Sequence, residues 1–151
     1  MTDVNAQAEP TMPFSLLGVC AVGASAGGLE ALQQFFDNAA PDSGIAYVVV
    51  QHLSPDHKSL MVELLQRHTM LRVMRAEEGM RIEPNTVYLN PPKTNLTIDD
   101  GVLHLRDQPV GAGLHLPIDS FFASLAASLG VFFRGNARFR LFIRRELYNC
   151  Q

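Results

Sequence analysis

The sequence predicts an α/β domain built on a doubly wound, mainly parallel sheet with a small β excursion, and three observations carry that expectation. Two short apolar segments, Leu16 to Val22 and Ile45 to Val50, are each followed by residues at helical spacing. The second is rich in β-branched residues and lacks strict alternation, as expected of a strand buried on both faces. A later tract of short extended pieces around an Asp-Gly step then interrupts the strand and helix rhythm.

Composition sets the outer limits. The 151 residues, 47% hydrophobic and 18% charged, suit one globular domain with a real core. A net charge of -3 argues against nucleic acid as the partner. Cys20 and Cys150 make neither a disulfide framework nor a paired metal motif, which fits a cytoplasmic setting. Residues 1–15 read as a flexible leader without the features of a secretory signal, and no apolar run approaches the roughly 20 residues that span a bilayer, so stable membrane insertion is not expected. Charge is unevenly spread: residues 1–130 carry a net -7 and residues 131–151 a net +4, which marks the tail as a different kind of sequence.

Taken in order, Leu16 to Val22 predicts a strand that ends at Gly23, and Leu29 to Phe36 a helix. Ile45 to Val50 predicts the second strand, with Gln51 and His52 at its carboxyl end. Ser59 to His68, with Leu60, Met61, Leu64 and Leu65 on one face, predicts an amphipathic helix capped by Ser59. Extended pieces follow near Val73 and over Thr86 to Leu89, Leu96 to Ile98 and Val102 to Leu105, with Asp99-Asp100-Gly101 closing a hairpin and Asn90-Pro91-Pro92 a loop. Ile118 to Leu129 returns to a helix that Gly130 can end. The sum is a Rossmann-like α/β domain.

The chemistry concentrates in Gly23-Ala24-Ser25-Ala26-Gly27-Gly28, between the first strand and the first helix. This is the Gly-x-Ser-x-Gly nucleophile elbow in its required context. A sharp turn lifts the serine hydroxyl above the strand ends, and backbone N–H groups at Ala26 or Gly27 can meet an oxyanion. Two other readings stay open on these residues alone: a glycine-rich turn whose Ser25 only caps the helix, or a dinucleotide site. The dinucleotide pattern, however, requires glycine where Ser25 stands and an acid where the second strand ends in Gln51-His52. His52 ends the second strand as Ser25 ends the first, so it can take the serine proton and return it to a leaving group, the alternative being an imidazole that only bonds a loop. His57, His68, His104 and His115 read as surface or loop residues, and Pro55 breaks any helix that would unite His52 and His57 on a metal.

The runs Val22 to Gly28, Val50-Gln51-His52 and Leu116 to Phe122, with Glu78-Gly79-Met80, Ile82, Pro84 and Val87-Tyr88-Leu89 between them, resemble the catalytic domain of chemotaxis-type protein-glutamate methylesterases over about Gly18 to Gly130. The wording is similar to methylesterase modules fused to a receptor methyltransferase. The resemblance implies hydrolysis of glutamate γ-methyl esters on the cytoplasmic domains of methylated chemoreceptors, with deamidation of particular glutamines, and no metal or organic cofactor. It implies Ser25 as nucleophile and His52 as base. Ala26 stands where the family often has threonine, so a hydroxyl contribution is absent there.

The resemblance stops near Gly130. The family continues with an apolar strand and a Gly-rich segment bearing the triad aspartate, whereas residues 131–151 form a basic tail and Asp119 is the last aspartate of the sequence. No triad aspartate is assigned: Asp119 matches another family element and reads as helix-capping or structural, Asp56, Asp99, Asp100 and Asp107 as turn acids, and Glu146 lies in no matching motif. The expectation is therefore a C-terminally incomplete domain, from a shifted reading frame or a truncated gene product. Its alternative function is a catalytically impaired or inactive remnant that acts at most as a binding module. Phe139, Leu141 and Ile143 are only loosely strand-like candidates to fill the missing sheet position.

Overall fold

The computed structural model describes residues 18–24, 28–51, 60–108, 116–132 and 142–145, with 129–132 and 142–145 described as backbone alone. Strands β1 (Gly18–Ala24), β2 (Ile45–Gln51), β3 (Arg72–Arg75), β5 (Thr86–Leu89) and β8 (Phe142–Arg145) form one sheet in the order β3-β5-β2-β1-β8. Every pairing within it is parallel. Strands β4 (Met80–Arg81), β6 (Thr94–Asp99) and β7 (Val102–Asp107) make the predicted excursion, a small antiparallel sheet ordered β4-β7-β6.

Burial on alternate sides explains why β1 and β2 are apolar at nearly every position. Val19 and Ala21 of β1, with Ala46, Val48 and Val50 of β2, face a core closed by Phe121 and Leu125 and by Leu96, Ile98 and Leu103 of the small sheet. Cys20, Val22 and Ala24, with Tyr47 and Val49, face the other side, against Leu32, Phe36 and Leu65. The helical partners come from α1 (Leu29–Asp37) and α2 (Met61–Gln66) on one face and α3 (Pro117–Phe132) on the other. Phe36 meets Tyr47 edge-on at a centroid distance of 5.6 Å, a favoured aromatic geometry that fixes α1 on the sheet. Burial also pushes the Cys20 thiol up to about 11, so it stays neutral and inert at physiological pH.

The Asp-Gly hairpin forms as predicted. Asp100 and Gly101 both take positive φ, 45° and 72°, and bring Asp99 opposite Val102 in register. Strand β6 would otherwise leave an unpaired edge. Helix α3 covers it: the Ser124 and Ser128 hydroxyls accept hydrogen bonds from the Ile98 and Asp100 N–H groups, each at 3.1 Å.

Several boundaries differ from expectation. Gly130 does not end α3, which runs on to Phe132. A glycine weakens a helix interior by about 1 kcal/mol relative to alanine, and that is too little to stop one followed by Val131 and Phe132. Helix α2 spans six residues with Leu60 at its N-cap and no side-chain cap, while Ser59 lies outside the described residues. Asp119 sits in the first turn of α3 rather than at its cap, because Pro117 already occupies the first helical position. There its charge favours the positive end of the helix dipole. Within the basic tail, β8 lies alongside β1, with Cys20 opposite Phe142 and Gly23 opposite Arg145. Backbone pairing explains this, since the exposed edge of β1 accepts any extended segment whose N–H and C=O groups need partners. Among the described residues no helix is long and apolar enough to cross a membrane.

Candidate active site

The chain winds outward from β1 to β2 through α1, and reaches the opposite side of β1 at β8 after α3. The direction of winding therefore reverses at β1, and in open parallel sheets ligands bind beyond the carboxyl ends of the strands at such a point. The last register pair of β1 and β2 is Ala24 with Gln51. The elbow residues Ser25, Ala26 and Gly27, and the base candidate His52, lie outside the described residues. Each segment joins directly onto that register pair.

Beyond the elbow, Gly28 is the N-cap of α1 and carries no side-chain capping bond. The first-turn N–H groups of a helix lack partners within it, which leaves donors directed toward the elbow end of α1. Val22, Gly23, Ala24, Gly28, Ala31, Leu32 and Phe35 line an apolar recess of about 30 Å³ between β1 and α1. That is room for about one water-sized group.

Gly23 has a packing role that the elbow pattern alone does not disclose. A Cβ there would stand 2.6 Å from Cγ2 of Ile118 and 3.4 Å from Cε2 of Phe122. Helix α3 thus approaches the strand that carries the elbow so closely that only glycine fits. Ile118 is β-branched and yields little at its own Cγ2. Gly23→Ala is expected to cost about 1–3 kcal/mol of stability through overpacking. In urea denaturation the double variant with Ile118→Ala should be less destabilised than the two single changes added together, because the colliding atom is gone.

At the end of β2 the structure reveals a residue that sequence reasoning assigned to a loop. Asn90 is buried, and its side chain binds the Gln51 backbone twice: Oδ1 accepts the Gln51 N–H at 2.8 Å and Nδ2 donates to the Gln51 carbonyl at 3.0 Å. The only sequence signal was a polar residue between an apolar strand and two prolines.

The remaining predicted histidines and acids sit elsewhere or go undescribed. His68 hydrogen-bonds Asp37 at 2.9 Å, and His104 bonds Glu78 at 2.9 Å. The His104 ring, followed by the Leu105 N–H, holds the Glu78 carboxyl below its ordinary range. Asp100 is a turn acid in the hairpin, as expected, and Asp99 and Asp107 end β6 and β7. His57, His115, Asp56 and Glu146 lie outside the described residues. Among the described residues no group of three or more His, Cys, Asp or Glu side chains comes together to hold a metal.

Comparison with known proteins gives a consistent result. A family profile described as CheB methylesterase matches residues 20–132. A protein-glutamate methylesterase/protein-glutamine glutaminase of Methanosarcina acetivorans is 29% identical over 120 residues, covering 74% of this chain and 34% of that protein. A protein of the same description from Xanthomonas campestris pv. campestris is 34% identical over 121 residues, covering 73% and 32%. The chain therefore spans about a third of the length of these relatives. The fold is similar to the crystal structure of the Thermotoga maritima CheB methylesterase catalytic domain, with a TM-score of 0.63 at 22% identity over 83% of this chain and 66% of that one.

Proposed function

This chain belongs to the CheB methylesterase family, and from that premise we propose that it hydrolyses glutamate γ-methyl esters on chemoreceptor cytoplasmic domains, with Ser25 as nucleophile and His52 as base. The observation that supports this most is the pairing of Ala24 with Gln51. Neighbouring parallel strands lie about 4.8 Å apart, and consecutive Cα atoms about 3.8 Å, so the residues joined to that pair start from one small region. The crevice at the reversal point of the sheet is where such a site belongs.

In the proposed reaction Ser25 Oγ attacks the ester carbonyl while His52 takes its proton. Backbone N–H groups at Ala26 or Gly27 receive the developing oxyanion, His52 protonates the departing methoxide, and water then hydrolyses the acyl-enzyme. The reacting groups need no cofactor, and a cytoplasmic setting follows from the receptor domains on which the ester lies. Glutamine deamidation would use the same groups, with ammonia as leaving group.

Among the described residues no orienting acid is assigned to the pair. In the serine-protease template, loss of that acid lowers turnover by about 10⁴. Asp119 sits exposed in the first turn of α3 and is not assigned as that acid, so a second reading is a domain that binds receptor and hydrolyses its esters slowly or not at all. Incubating the folded chain with γ-methylated receptor separates the two. Release of methanol with an equal gain of free carboxylate supports the esterase; binding without methanol supports the second reading.

A further inference from the structure

We propose that Asn90 is a positioning residue for His52, a role that rests on the catalytic reading of His52 given above. Strand β5 pairs with β2 only from Thr86 opposite Ala46 to Leu89 opposite Val49. Gln51, two residues further along β2, has no β5 backbone opposite it. The β5 chain cannot continue the ladder, because Pro91 and Pro92 follow Asn90 and neither has an N–H to donate.

Asn90 completes the ladder with its side chain. Its own N–H donates to the Val49 carbonyl at 3.2 Å, and its amide then supplies both the acceptor and the donor that Gln51 requires. A primary amide carries the same two groups as a peptide, in one plane and about the same spacing. The orientation of the amide is settled by chemistry, since an N–H must face Oδ1 and a carbonyl must face Nδ2. Gln51 and Asn90 are 5% and 6% exposed, so water is a poor substitute for these bonds.

The bond that matters for chemistry is the one to the Gln51 carbonyl. That oxygen belongs to the peptide linking Gln51 to His52, and the peptide plane contains the next Cα. Holding the Gln51 N–H and C=O together fixes the last rigid unit before the base. Errors of about 1 Å in a reacting group lower rates by up to about 10²-fold.

Asn90→Ala removes both bonds. Asn90→Asp keeps the shape and the acceptor, but when ionised sets an oxygen against the Gln51 carbonyl; when protonated it restores a donor. With kcat normalised to folded protein, Asn90→Ala is expected to lower kcat for methanol release about 10- to 100-fold with KM within about twofold. The kcat ratio of Asn90→Asp to the unmodified chain should rise as pH falls, while the Asn90→Ala ratio stays flat. An activity-independent arm uses the NMR amide resonance of His52, which should shift or broaden in folded Asn90→Ala while that of Leu96 in the small sheet does not. An unmoved His52 resonance overturns the proposal whatever the kinetics, as does an unchanged kcat in an active enzyme. If the unmodified chain releases no methanol, the catalytic reading fails by itself, and the His52 resonance still decides whether Asn90 positions that residue.

Discussion

Ser25→Ala is expected to remove measurable methanol release, and His52→Ala to lower it by about 10²–10⁴, or roughly 3–5 kcal/mol of transition-state stabilisation. The two losses differ because the roles differ. Without the Ser25 hydroxyl no acyl-enzyme can form; without His52 the hydroxyl remains but must lose its proton to water. Both variants should keep KM close to that of the unmodified chain, since neither group contributes mainly to receptor binding. Combining them should cost little more than Ser25→Ala alone, as expected of groups that act as one unit. Measurement requires folded variants at matched concentration, with methanol quantified over long incubations so that slow residual turnover is read. Equal activity in Ser25→Ala and the unmodified chain would place the chemistry elsewhere.

The second large effect concerns the helix that closes the core. Phe121 of α3 is fully buried among residues of β1, β2 and the small sheet, and stacks edge-on with Phe122 at a centroid distance of 6.4 Å. Phe121→Ala is expected to cost about 3–5 kcal/mol, from lost transfer free energy and the cavity left behind. Domains of this kind are stable by only about 5–15 kcal/mol, so the change consumes a third or more of the total in most of that range. Phe122 is only partly buried, and its replacement by alanine should cost less. Urea denaturation gives both values from the transition midpoints. A loss below about 1 kcal/mol for Phe121→Ala would mean that α3 does not anchor the sheet.

The parts of the fold legible from sequence were those specified by local chemistry. Strands β1 and β2 announced themselves through apolar residues on both faces, and the β6–β7 hairpin through Asp100 and Gly101. Strand order was not legible: β5 lies between β2 and β3, and β4 pairs with β7, because partners across long separations are chosen by tertiary packing. Strand β3 reads Arg-Val-Met-Arg with only Val73 buried, so an extended piece near Val73 was legible but its bounds were not. Strand β8 was legible only in part: Ile143 stood among the loosely strand-like candidates for that sheet position, and it pairs with Ala21, whereas Phe139 and Leu141 lie outside the described residues. At the site, the elbow pattern made Gly23 visible as a turn residue, but its collision course with Ile118 belongs to a helix almost a hundred residues away. Asn90 followed the same logic: Asn-Pro-Pro reads as a loop, and only the end of β5 short of the end of β2 turns its amide into a ladder rung.

The most direct test of the central claim, a serine nucleophile activated by His52, is covalent trapping. A fluorophosphonate ester reacts with an activated serine by forming an Oγ–P bond and expelling fluoride, the base receiving the hydroxyl proton. Mass spectrometry of the digested chain is expected to find one adduct, on Ser25, with much slower formation in folded His52→Ala. An unlabelled Ser25 in the folded chain, or labelling at the same rate in His52→Ala, would contradict the account.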